Sequence, residues 1–156
     1  MNVDIINGKN NASGLSGTLK ALTAFYAGFN QRDVDASMKN WARRDDVVMC
    51  NPIGGIRKGW DDILQAYQRI MQGEVQVYVE FYDYQIMECD NIFYVVGRER
   101  GHAQYTDQRI ELVIRTSRVF QKFDDGWHQV HHHGSIDDPA LLNQYQSLVH
   151  SNLKKE

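Results

Sequence analysis

The apolar residues of this chain change their period once, near Val75, and that change constrains the fold more than any other feature of the sequence. Before it they recur every three or four positions. After it come four long segments rich in Val, Ile, Tyr and Phe: Val75 to Cys89, Ile92 to Tyr105, Arg109 to Phe123 and Trp127 to Ile136. The breaks between them are Cys89-Asp90-Asn91, Thr106-Asp107 and Asp124-Asp125-Gly126, which are short turn signals, so the segments are expected to be consecutive antiparallel strands. Helices first and a meander last predict an α+β domain in which a curved antiparallel sheet wraps the N-terminal helices.

The helical half reads in pieces. Leu19, Leu22, Phe25, Tyr26 and Phe29 predict a first helix near 15 to 30. Asp33 is expected to cap a short second helix that buries Val34, Met38 and Trp41. Val47 to Met49 read as a strand ending at Asn51-Pro52, and Gly54-Gly55 let the chain return sharply through Ile56. Trp60, Ile63, Leu64, Tyr67, Ile70 and Met71 form the wide apolar stripe of a third helix. Beyond Pro139, the spacing of Leu141, Leu142, Tyr145, Leu148 and Val149 predicts a closing helix. The expected divisions are a loose arm over 1–14, in which Val3, Ile5 and Ile6 could pack on a neighbour, the domain over 15–137, and a helix and tail over 138–156.

Composition removes several classes of function. A chain of 156 residues is one domain by length, and with 17 Lys plus Arg against 20 Asp plus Glu it has no basic stripe for a phosphate backbone. No nucleic-acid partner is expected. Cys50 and Cys89 have no metal-type spacing and fit reduced thiols, no apolar run approaches a membrane span, and the first residues lack the pattern of a signal peptide. The expectation is a soluble, cytoplasmic protein with no membrane partner and no cofactor.

The hairpin Ser117 to Ser135 carries the candidate chemistry, and its register decides which side chains meet. If Asp125-Gly126 is a two-residue turn, Arg118 faces His133. If Asp124, Asp125 and Gly126 form a three-residue loop, Phe123 faces Trp127, Phe120 faces Val130 and Arg118 faces His132. The second closure is preferred because it matches apolar residues across the strands. It assigns Arg118, Phe120, Val130 and His132 to an inner face, and Val119, Phe123, Trp127, His131 and His133 to an outer one. That outer patch is expected to be buried in a homodimer interface. The run His131-His132-His133 suggests metal, but neighbouring strand residues point to opposite faces, so at most His131 and His133 could share an ion and no metal site is expected.

The order of elements, together with FYAGFNQRD, NPIGG, KGWDDI and GWHQVHHHGS, resembles the nuclear transport factor 2-like superfamily. SnoaL-like proteins and the association domain of calcium/calmodulin-dependent protein kinase II are nearest in pattern, over about residues 16 to 136. The resemblance implies a cone with a pocket between helices and sheet, and dimers formed through the outer sheet surface. Arg98 in VVGRER and Arg118 in TSRVF match pocket arginines of the association domain, whereas Gly134 stands where that domain has a third basic residue and Ile63 where it has a histidine. In the steroid isomerase branch the general base precedes a proline, where this chain has Asn51, and the two oxyanion donors fall at or near Phe25 and Arg118. None of the three is retained, so steroid isomerisation is not expected. Tyr26 could replace the lost phenol only if the helix turned by about a third of a turn.

The functional expectation is therefore a SnoaL-like pocket that binds a small anionic or carbonyl-bearing molecule through a fork of Arg98 and Arg118. Tyr67, Tyr26, Asn51, Ile63 and Val130 would line it, with His132 as a candidate catalytic proton carrier. Against this stand ordinary structural roles: ion pairs of the arginines with Glu99, Glu111 or Asp83, and a satisfied core histidine. Tyr78, Tyr82 and Tyr84 are expected to share one strand face. The alternatives in function are a lyase, isomerase or cyclase step using His132, or a non-catalytic oligomerisation module.

Overall fold

The computed structural model describes residues 3–153. The predicted helices form where the apolar spacing places them. Ser16 caps α1 (Gly17–Asn30) by accepting the Leu19 N–H, and Asp33 caps α2 (Val34–Lys39) by accepting that of Ala36. Between them Arg32 adopts a positive φ of 57° and donates to the carbonyls of Met71, Gly73 and Val75. That fastens the end of α3 (Trp60–Gln72) to the α1–α2 corner.

The strands are β1 (Ile5–Ile6), β2 (Val48–Cys50), β3 (Arg57–Lys58), β4 (Gln76–Cys89), β5 (Ile92–Tyr105), β6 (Gln108–Phe123) and β7 (Gly126–Ser135). They form one sheet in the order β1-β4-β5-β6-β7-β2-β3, antiparallel except where β2 runs parallel to β7. Its inner face carries Phe81, Phe93, Val95, Leu112, Ile114 and Phe120, all buried; Phe93 and Phe120 stack at 4.5 Å, and Phe81 stacks on Tyr26 of α1 at 5.6 Å. Helix α4 (Pro139–Leu153) closes the structure and buries Tyr145 and Leu148.

Three expectations need correction. The arm over 1–14 is not loose within its described part: β1 pairs with β4, Ile6 is fully buried, Asn30 donates to the Asn7 carbonyl, and Tyr84 donates to that of Val3. Gly8 makes this docking possible, because a Cβ there would lie 2.3 Å from the Ala27 backbone. The start of the arm, residues 1 and 2, lies outside the described residues, as does the end of the tail, 154–156.

The second correction concerns the β6–β7 hairpin. Its turn is the two-residue Asp124-Asp125, with Phe123 facing Gly126. A bulge at Val130 then restores the missing residue, so Phe120 faces Gln129 while Val119 faces His131 and Arg118 faces His132. Between turn and bulge the register is one off the expected one, and those side chains change face. Trp127 points inward, edge-on to Phe93 at 4.9 Å, and is not an outer-surface residue; Gln129 takes the buried place assigned to Val130.

Third, a register shift between Tyr82 and Gln85 breaks the tyrosine row. Tyr78 and Tyr82 lie over His102 and Arg100 on the outside, whereas Tyr84 stacks on the inner Phe81 at 5.2 Å. Asp83 occupies the bulge at φ 48°, a conformation its short polar side chain tolerates.

Candidate functional site

A cavity of about 500 Å³ opens between the inner sheet face, α1, α3 and α4. Most of its wall is apolar: Phe25 and Phe29 from α1, Ala66 and Ile70 from α3, Met49, Val77, Val79 and Ile114 from the sheet, and Val149 from α4. Arg118, Glu99 and His132 lie together at its floor, joined by Tyr67, Asn51 and Tyr145 around the sides.

The floor is organised by one buried ion pair. Arg118 donates through Nη2 to Glu99 Oε1 at 3.1 Å, through Nη1 to Gln129 Oε1 at 2.8 Å, and through Nε to the Tyr26 hydroxyl at 3.5 Å. Its guanidinium lies over the Phe25 ring at 3.8 Å. Tyr26 in turn donates to Glu99 Oε1 at 2.5 Å, and Gln129 donates to Asn40 Oδ1 at 2.7 Å. Burial opposes the Arg118 charge, but Tyr26, Glu99 and Tyr67 around it outweigh that and raise its pKa. Burial, reinforced by the Glu99 charge, keeps Tyr26 a neutral donor with a pKa well above the ordinary phenol value.

His132 stands opposite Arg118 on β7 with its side chain buried. Burial first, then the Arg118 charge, hold its pKa well below the ordinary histidine value, so the ring is neutral near pH 7. Nδ1–H then donates to the Ser117 carbonyl at 3.3 Å, and Nε2 is left as the acceptor. Tyr67 accepts the indole N–H of Trp41 at 3.2 Å, which leaves its own proton to donate. Asn51 Oδ1 is buried with no hydrogen bond from any described residue.

Of the residues expected at the site, Arg118, Tyr67, Asn51 and His132 line the cavity, with Tyr26 one layer behind in the Arg118 network and Ile63 in the core. Val130 is displaced by the bulge and does not line it. Arg98 is not there either: it projects from the outer face, 53% exposed, and pairs with Asp83 at 3.0 Å, so the two-arginine fork does not form. The reason is parity along β5, where Phe93, Val95 and Glu99 point inward and Tyr94, Val96 and Arg98 outward. Glu99 and Tyr145 were not foreseen as site residues. Inward parity continued from Phe93 would have found Glu99; Tyr145 had only its place on an amphipathic helix. At Gly134 a side chain would meet the Pro52 ring at 3.0 Å.

Of the outer-face residues, Val119 and His131 are half-buried neighbours on adjacent strands, and His133 is exposed. Phe123 meets the His128 ring edge-on at 5.6 Å at the sheet's end. Among the described residues no group of three or more His, Cys, Asp or Glu side chains could hold a metal, and no helix is long and apolar enough to cross a membrane.

Solved structures share this architecture. A candidate dehydratase of the NTF2-like family from Streptomyces avermitilis superposes with a TM-score of 0.66 at 21% identity, covering 74% of this chain and 89% of the other. A candidate calcium/calmodulin-dependent protein kinase type II association domain from Thiobacillus denitrificans gives 0.61 at 24% identity, covering 76% and 94%. A ketosteroid isomerase-like protein from Erwinia carotovora gives 0.65 at 19%, covering 83% and 100%. At these identities the likeness is one of fold, and the three names show how many uses one fold serves. No curated protein matches the chain. Residues 19–139, which take in every strand from β2 to β7, match the SnoaL-like domain, and the chain belongs to that family.

Proposed function

We propose that the chain binds one small, uncharged, mostly apolar organic molecule in the cavity, with a carbonyl or hydroxyl group set against the Arg118, Glu99 and His132 floor. The observation that carries this reading is the charge balance of the floor. Arg118 is already matched by Glu99, and His132 is neutral, so a carboxylate entering there would lose its hydration without gaining an unpaired cation. Arg57, which also lines the cavity, is paired with Asp62 at 3.3 Å. An anion cannot be held between two arginines there, because Arg98 lies on the other face. The test is a thermal-shift screen of aromatic ketones and alcohols against carboxylates of equal size. A true ligand at 100 times its dissociation constant adds about 2.7 kcal/mol. Stabilisation by carboxylates alone would overturn the reading.

A catalytic use of the same site is favoured by the His132 tautomer. An unprotonated Nε2 facing the cavity can take a proton from the carbon next to a ligand carbonyl, and the enolate oxygen so formed would be met by the Tyr67 hydroxyl, whose own proton is free to donate. Asn51 cannot serve as that base. In heavy water the parent should accelerate exchange of the α-protons of 2-tetralone, followed by NMR; a His132→Gln variant that exchanges them equally fast removes the base.

For assembly, we propose a homodimer through the outer sheet face. Met87, Tyr94, Val96 and Val113 stand 42–56% exposed there, and Met87 faces Tyr94 across the β4–β5 ladder. Sedimentation of Val96→Asp at micromolar concentration should show monomer where the parent shows dimer; a monomeric parent ends this proposal. The free thiols of Cys50 and Cys89 support a reducing, cytoplasmic setting.

A further inference from the structure

Among the polar groups that the network leaves over in the cavity, two come from different elements of the fold, β5 and α4. Glu99 reaches in from β5, buried to 4% exposure, and spends Oε1 on both Tyr26 and Arg118. Its Oε2 receives no hydrogen bond from any described residue. Tyr145 descends from α4, buried to 7%, and its hydroxyl likewise has no hydrogen-bond partner among the described residues. A carboxylate oxygen can only accept, and a neutral phenol at the end of an apolar ring readily donates. Burial pushes the Tyr145 phenol up to about 12, with the Glu99 charge contributing, so it keeps its proton at any physiological pH.

We infer that Glu99 Oε2 and the Tyr145 hydroxyl form a recognition pair for a hydroxyl group of the ligand: the carboxylate accepts the ligand O–H, and the phenol donates to the ligand oxygen. This rests on the proposed binding of an uncharged molecule in the cavity and narrows its class to alcohols, phenols and enols. A ketone could satisfy Tyr145 but would leave Glu99 unmatched, and a carboxylate would face a like charge there. The pair also divides the labour of recognition. The sheet supplies a fixed acceptor, because Glu99 is clamped through its other oxygen by a phenol and a guanidinium. The closing helix supplies the donor, and α4 is tied to the rim of the cavity by a bond from Gln146 Nε2 to the Ile53 carbonyl at 2.9 Å.

The inference is tested by calorimetry with three probes of one shape: 2-naphthol, 2-methylnaphthalene and 2-naphthoate. The parent should bind 2-naphthol about ten-fold or more tighter than 2-methylnaphthalene, the size of one hydrogen bond to a charged group. Glu99→Gln and Tyr145→Phe should each remove most of that difference, read as the ratio of the two affinities within each variant. Tyr145→Phe stands outside the Arg118 network, so it decides the matter if Glu99→Gln fails to fold. A preference for 2-naphthol that survives Tyr145→Phe overturns the pair while leaving the cavity reading intact. Tightest binding of 2-naphthoate, or no binding of any probe, overturns both.

Discussion

The two faces of the sheet hold arginines in opposite ways, and the contrast explains where function can reside. Arg118 on the inner face is 3% exposed and paired with a 5% exposed Glu99; Arg98 on the outer face is 53% exposed and paired with a 70% exposed Asp83. Glu99 and Arg98 are neighbours in sequence, yet the pleat sends one into the core and the other into water. Inside, each charge has lost its hydration and relies on its partner and on Tyr26 and Gln129 for compensation. Outside, water screens the pair and its geometry is incidental. The inner face is thus an organised polar site set in apolar walls, and the outer face is a mixed surface with an apolar band that the proposed second copy would cover.

This contrast can be broken by substitution. Glu99→Ala leaves Arg118 buried without its counter-charge and should cost about 3–5 kcal/mol of folding stability, read by urea denaturation. Trp127→Ala comes next. Because Trp127 packs on Phe93 inside, the loss should appear as about 3 kcal/mol of stability, with the oligomeric state unchanged. If the variant stays stable and loses its dimer instead, the corrected hairpin register is wrong.

A smaller effect should come from pH. His132 is held neutral in the fold with a pKa well below its unfolded value of about 6.5, so as pH falls the unfolded chain takes up this proton first. The contribution is complete well above that pH and is lost progressively as pH falls through it. His132→Gln should flatten this part of the stability profile; an unchanged slope would mean that the ring is charged in the fold. The least effect belongs to Arg98→Ala, which should cost less than about 1 kcal/mol by the same denaturation.

Much of the fold was legible because long strands and amphipathic helices announce their period. The opposition of Arg118 and His132 was legible too, but by a route that differs from the real one. A three-residue loop and a two-residue turn followed by a one-residue bulge each add one residue to the β7 arm, so the register beyond the bulge is the same by either path. Only the residues between turn and bulge differ, which is why Trp127 and Val130 were misplaced while His132 was not. Nothing at Val130 marks a bulge in sequence. Arg98 was misplaced for another reason: Tyr94 and Val96 are as apolar as Phe93 and Val95, so β5 shows no clear alternation from which to read its faces. Tyr145 belonged to a helix whose packing partner could not be read from period alone.

The proposed division between a binding face and an assembling face is tested most directly by methyl NMR of the labelled protein during titration with 2-naphthol. Met49, Ile53, Val77 and Ile114 report on the cavity, and Met87, Val96 and Val113 on the outer surface. Saturable shifts confined to the first group are the expected result. Shifts confined to Met87, Val96 and Val113 would contradict the account, because they would move ligand binding to the face assigned here to a second copy of the chain.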